Sequence, residues 1–228
     1  MPPLRLVERH RFLDSYGFVL VLIVTTYVTA VTLTKPWGAT IVLVVQIAAV
    51  TVTLHVSHSR RLVRVVAIVA LVLSGIAAVA NLVDPTDDSL LPVLFACSTL
   101  LYVVAPFSIV RHVAQRRRID VETFLGALAA YLLLGMAFAF CYRFLGEVQE
   151  APFFGDAGDG TIADVLFFSF ITLTTTGYGN LVPAQNPGQS LAVLEALLGQ
   201  LFLVTAVAKI VSAWQPRARE EAPQGSDE

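Results

Sequence analysis

Ile162-Ala163-Asp164-Val165-Leu166-Phe167-Phe168-Ser169-Phe170-Ile171-Thr172-Leu173-Thr174-Thr175-Thr176-Gly177-Tyr178-Gly179-Asn180 is the stretch on which the reading of this chain turns. Its apolar first part, at about a dozen residues, is too short to cross a hydrocarbon core of about 30 Å. Its second part sets two glycines around a tyrosine after a run of threonines. That composition suits a backbone that turns its carbonyls toward a common axis, because glycine enters dihedrals that a side chain would forbid. Thr161-Ile162-Ala163-Asp164 has the form of a capping box opening the short helix.

The surroundings are as apolar as the stretch itself. With 56% hydrophobic and 14% charged residues, the chain has more apolar surface than a soluble domain of this size can cover, so the bilayer is its solvent. The formal net charge is only -2, and no basic cluster is interleaved with aromatics, which excludes a nucleic-acid partner. Cys97 and Cys141 fall inside apolar runs, away from any metal-ligand spacing, and read as reduced small hydrophobes. No nucleophile and base pair or metal cluster can be read, so no enzyme and no cofactor is expected.

Working outward from the short helix gives an all-α membrane protein with six spans. They run from Tyr16 to Leu33, Ala39 to Val56, Leu62 to Val83, Leu90 to Val110, Val121 to Leu145 and Gln189 to Trp214. A cleaved signal peptide competes for the first run, but it is long enough to span, and no small-x-small cleavage site precedes Lys35-Pro36-Trp37-Gly38. Residues 1–15 carry Arg5, Arg9 and Arg11 as an amphipathic lead-in at the cytoplasmic surface, and residues 215–228 read as a polar, disordered tail. Residues 16–118 form a four-helix domain and residues 119–214 a pore-like unit. With both termini cytoplasmic, thirteen of the 15 lysines and arginines fall inside, and only Lys35 and Arg143 fall outside. That asymmetry holds only if the short helix re-enters without crossing, which puts the Gly-Tyr-Gly loop at the outer face. The excess of arginine over lysine points to a GC-rich prokaryote and a multi-pass protein of its cell membrane.

Thr175-Thr176-Gly177-Tyr178-Gly179, between a short helix and an apolar span, closely resembles the selectivity filter of the potassium-channel family. The resemblance covers Val121 to Trp214 in the order outer helix, pore helix, filter, inner helix. It implies a homotetramer, since one filter copy cannot surround an ion, with membrane lipid and K+ as its other partners. By that match Thr175 offers hydroxyl and carbonyl, while Thr176, Gly177 and Tyr178 offer carbonyls that replace the water around K+. Gly179 completes the motif, and Thr174 and Asn180 flank it. Asn180 departs from the family pattern, where an aspartate is usual. So do Phe167 and Phe168, which cannot donate a hydrogen bond to the filter as a tryptophan would. These departures put the bracing of the filter in question rather than its selectivity.

Two residues of the last span stand out. Gly199 resembles the family's inner-helix hinge, and close packing of helices is the other role a glycine serves there. Glu195 is an ionisable group inside an apolar span, costly without a partner. It is expected to bond Ser169, Thr172 or Thr174 and brace the filter, in which case Glu195→Gln changes conductance, selectivity or inactivation. A protonated glutamate packed between helices is the other reading.

The six-span layout resembles that of voltage-gated channels, but Leu90 to Val110 contains no arginine, and Arg111, Arg117 and Arg118 lie at or beyond its inner end. Little or no voltage sensing is expected, because each charge moved contributes only about 2.3 kcal/mol per 100 mV. His10, His55, His58 and His112 sit among inner-face arginines as interfacial anchors, with a sensor of internal pH as the alternative. The acidic residues Asp84, Asp87, Asp88, Glu147, Glu150, Asp156 and Asp159 either concentrate cations at the outer mouth or form solvated loops. The expected function is therefore passive, potassium-selective conduction. A looser monovalent cation channel and an accessory or transporter subunit are the alternatives. The short tail leaves ligand control to the membrane helices, lipid or another protein.

Overall fold

The computed structural model describes residues 16–32, 61–83, 91–115 and 121–213. Its helices are α1 (Tyr16–Thr32), α2 (Arg61–Val83), α3 (Leu91–Gln115), α4 (Val121–Val148), α5 (Ile162–Leu173) and α6 (Gly188–Ala213), with a 3-10 turn at Gly155–Ala157. Among the described residues there is no strand. The expected span from Ala39 to Val56, the lead-in 1–15 and the tail 215–228 lie outside the described residues, as do Asp84 to Asp88, Arg116 to Arg118, His10, His55 and His58. Thr123–Val148 and Gly188–Lys209 are long and apolar enough to cross a membrane, while the apolar parts of α1, α2 and α3 among the described residues are shorter.

α1 is rich in valine and threonine, residues that favour strands in water. In a bilayer only a helix satisfies its own amides and carbonyls, and that requirement overrides propensity. The threonines fit because Thr25, Thr26, Thr29 and Thr32 each donate a hydroxyl to the carbonyl four residues back, at 2.7 to 2.8 Å. α3 runs five residues beyond the expected Val110, since Arg111 to Gln115 contain no breaker. Its Pro106 lies within the helix, where the lost amide bond is tolerated in membrane spans.

The helices are organised around α4, whose Gly135 to Phe140 are all buried. α3 packs along it through flat ring contacts, with Tyr102 stacked on Phe140 at 5.2 Å and Phe95 at 6.4 Å. At the carboxyl end of α4 the Arg143 guanidinium sits 5.2 Å over the Phe95 ring and pairs with Glu147 one turn on. α1 reaches the short helix as well, through an edge contact of Tyr27 with Phe170 at 5.4 Å. α2 touches α3 through a small cluster of Ala67, Ala70 and Leu101, where small side chains let the backbones approach. α1 and α3 thus flank α4, α1 also touches α5, and α2 packs on α3.

Candidate functional site

The short helix is secured at its start by local chemistry. The Thr161 hydroxyl accepts from the Asp164 amide at 3.2 Å, and the Asp164 carboxylate accepts from the Thr161 amide at 2.8 Å, so the expected capping box is closed in both directions. Behind it, Phe154 and Phe168 meet edge to face at 5.4 Å, and Tyr142 meets Phe168 at 5.0 Å. This aromatic packing seats the helix against α4 and the outer loop.

The end of α5 decides the shape of the loop beyond it. The Thr175 amide donates to Thr172 O at 2.9 Å and the Thr176 amide to Ile171 O at 2.8 Å, the paired closure of a helix by a left-handed residue. That residue is Thr175, with φ 57, where glycine is usual; a β-branched side chain there is strained. The Gly177 amide shares Ile171 O at 3.1 Å. Beyond Thr175 the left-handed conformation returns at Gly177 (φ 55) and Gly179 (φ 79), while Thr176 and Tyr178 have ordinary negative φ. In a uniform strand successive carbonyls face opposite sides. Alternating handedness turns them instead toward one side, the amides toward the other. Residues 175–179 therefore form an irregular ribbon of alternating φ sign rather than a strand.

The ribbon lies open on this chain. Thr174 to Asn180 are exposed, Tyr178 is 71% exposed, and a Cβ added at Gly177 or Gly179 would meet nothing within 4 Å. Its side-chain supports come from the same chain. The Thr174 hydroxyl donates to Phe170 O at 2.7 Å and lies 2.9 Å from the Thr176 hydroxyl, and the Thr175 hydroxyl donates to Thr174 O at 2.7 Å. Tyr178 stacks flat on Phe167, with ring centroids 6.1 Å apart and planes at 6°. The phenylalanine that cannot donate a hydrogen bond thus supports the ribbon through its face. Past Asn180 the chain is sewn to the outer loop: Ala184 N donates to Phe153 O at 2.9 Å, and Phe153 N to the Asp159 carboxylate at 2.8 Å. Of the acidic residues expected at the outer mouth, Asp159 and Glu147 are thus committed to structural contacts.

Glu195 is completely buried. Its Oε2 accepts from the Tyr142 hydroxyl at 2.7 Å, and its Oε1 lies 2.5 Å from Ser169 Oγ, which is also 2.6 Å from Gly135 O. Of the three partners expected from sequence, Ser169 is present, whereas Thr174 is turned to Phe170 O. Tyr142 is the partner that sequence reasoning misses, since its only signal there is a hydroxyl within an apolar span. The carboxyl therefore grips the middle of α5 rather than the outer end of the ribbon.

Gly199 marks where α6 crosses the end of α5: a Cβ there would stand 2.2 Å from Leu173 O and 2.9 Å from the Leu173 side chain. The same carbonyl accepts from the Tyr131 hydroxyl at 3.2 Å, and Tyr131 packs on Phe202 at 5.5 Å. α6 is continuous through this position, so in this structure Gly199 serves close approach. Among the described residues no cluster of His, Cys, Asp or Glu fits a metal ion, and Cys97 and Cys141 are free thiols.

Residues 126–215, from α4 through the ribbon to α6, match the family model described as an ion channel. An inward rectifier potassium channel of Paramagnetospirillum magnetotacticum is 39% identical over 80 residues, which is 35% of this chain and 25% of that protein. A putative potassium channel protein of Rhodopseudomonas palustris is 32% identical over 69 residues, or 30% of this chain and 15% of the relative. The chain thus spans a quarter or less of the curated relatives it matches.

Proposed function

We propose that this chain, whose residues 126–215 match the ion-channel family model and resemble two bacterial potassium channels, is one subunit of a homotetrameric, potassium-selective channel of a prokaryotic cell membrane. The observation that carries the reading is the alternating backbone of Thr175 to Gly179, which aims a row of carbonyls to one side at the end of a capped helix. Four such rows around an axis make stacked oxygen rings, and successive residues advance at most about 3.3 to 3.6 Å. Thr175 supplies the inner ring with hydroxyl and carbonyl, and Thr176, Gly177 and Tyr178 supply the rest. K+ exchanges its water for these oxygens, and repulsion between neighbouring ions moves the file along. Fourfold assembly also covers backbone that a bilayer would not tolerate bare.

The four α5 helices direct their carboxyl ends at the inner cavity and contribute partial negative charge there, while Asp164 and the capping box favour the opposite, outer end. Selectivity is a property of the backbone ring, so it persists with Asn180 at the outer end.

The test is purified channel in planar bilayers under a potassium gradient. The reversal potential is expected to follow the potassium gradient alone and to stay there when sodium replaces the impermeant cation. A reversal potential that moves equally with sodium overturns potassium selectivity in favour of a looser cation pore. Absence of any conductance, with the tetramer intact, favours an accessory subunit.

A further inference from the structure

The oxygens around Glu195 permit a count of protons. Three short contacts run in series: Tyr142 Oη to Glu195 Oε2 at 2.7 Å, Glu195 Oε1 to Ser169 Oγ at 2.5 Å, and Ser169 Oγ to Gly135 O at 2.6 Å. Each needs one proton between its oxygens, and the Gly135 carbonyl has none to give. The two hydroxyls supply one proton each. With an ionised Glu195, one of the three contacts is left as bare oxygen against oxygen. With a protonated Glu195 all three are filled, in one direction: Tyr142 donates to Oε2, Oε1–H donates to Ser169, and Ser169 donates to the Gly135 carbonyl. Among the described residues no cation pairs with Glu195, and the other titratable neighbours, Tyr131 and Cys141, are not cations. An uncompensated carboxylate in this position would be costly.

From this count we infer that Glu195 works as a neutral hydrogen-bond donor, joining α4, α5 and α6 into one clamp that sets where α5 holds the filter. The mechanical path is short. Ser169 lies two residues before Ile171, whose carbonyl receives the amides of both Thr176 and Gly177. Fixing Ser169 to α4 and α6 therefore fixes the turn from which the first filter amides hang. Gly135 allows the approach, since a Cβ there would stand 2.9 Å from the Phe170 ring. The clamp does not use Asn180, so the filter's inner end is held by a device separate from its outer end. The consequence for the filter rests on the function proposed above, while the proton count does not.

Two measurements on the full-length channel in lipid bilayers test this. The first is the infrared difference spectrum between wild type and Glu195→Gln at neutral pH. A carbonyl stretch of a protonated carboxyl, lost in Glu195→Gln and shifted in Tyr142→Phe, is expected; carboxylate bands in its place overturn the inference. The second is single-channel recording. The sequence-based expectation that Glu195→Gln alters the channel holds for an ionised brace. With a neutral donor the Gln amide offers donor and acceptor in the same places, and Glu195→Gln is instead expected to keep potassium conductance and selectivity within about twofold. Glu195→Ala and Ser169→Ala are expected to speed closure of the filter about tenfold, the scale of one lost hydrogen bond. A Gln variant that closes as fast as the Ala variant overturns the donor role. If Glu195→Ala fails to assemble, the infrared spectrum and the Gln recording still decide. A wild-type chain that shows the protonated carboxyl but conducts no potassium defeats the proposed function and leaves the proton count standing.

Discussion

Thr175 is the residue at which α5 becomes the ribbon proposed as the filter. Its left-handed backbone strains a β-branched side chain by roughly 1 kcal/mol or more, where glycine would sit freely. Thr175→Gly is therefore expected to raise the thermal stability of the assembly while weakening potassium block and occupancy at the inner mouth, because the hydroxyl is lost; unchanged ion occupancy in the variant would remove Thr175 from the ion path. Gly199 presents the opposite case. Adding one methyl drives it to within 2.2 Å of the Leu173 carbonyl, and neither backbone can yield without moving α5 off α6. Gly199→Ala is expected to cost about 1–3 kcal/mol, read as a lower midpoint for thermal dissociation. A variant as stable as wild type but altered in gating would return Gly199 to the hinge role. These pressures act at single atoms, and only the first has a local trace in the sequence, since the second depends on a neighbour 26 residues away in the chain.

The short helix α5 is the element most fully specified by its own residues. Its ends fall at Ile162 and Leu173, where the capping box and the threonine run place them. Thr161→Ala is expected to lower stability by about 1 kcal/mol through the lost cap, checked by thermal dissociation of the assembly. α3 carries a different expectation. Its one arginine is Arg111, in the last turns of a helix that otherwise offers no charge to a transmembrane field. α3 packs along α4 through Phe95 and Tyr102 on Phe140. Conductance is expected to vary shallowly with voltage. A steep conductance–voltage curve that vanished on neutralising Arg111 would show that α3 senses voltage after all. A moving α3 would have to break the stacking of its Tyr102 and Phe95 on Phe140 of α4.

At the scale of the whole molecule, the two long apolar helices of the pore unit differ sharply in cover. The apolar window of α4 is 61% buried, that of α6 only 11%. α6 exposes Val193, Leu197, Leu201 and Val204 as a stripe along one face, and the ribbon of Thr174 to Asn180 is uncovered as well. Both are surfaces that further copies of the chain cover in the proposed tetramer, and the expected particle in mild detergent has four times the 24.6 kDa of one chain. A monomer that still conducts would sink that arrangement. The sequence by itself determined the apolar character of the chain, the short helix Ile162–Leu173 and its cap, because each depends on composition or on residues within a turn of one another. Only the tertiary structure decided that Tyr142, 53 residues from Glu195, completes the clamp, and that Phe167 takes the Tyr178 ring on its face. It also decided that Gly199 lies under the Leu173 carbonyl. Those choices are set by how α4, α5 and α6 cross, and a crossing is fixed by packing shape over many residues, which no local pattern in the chain records.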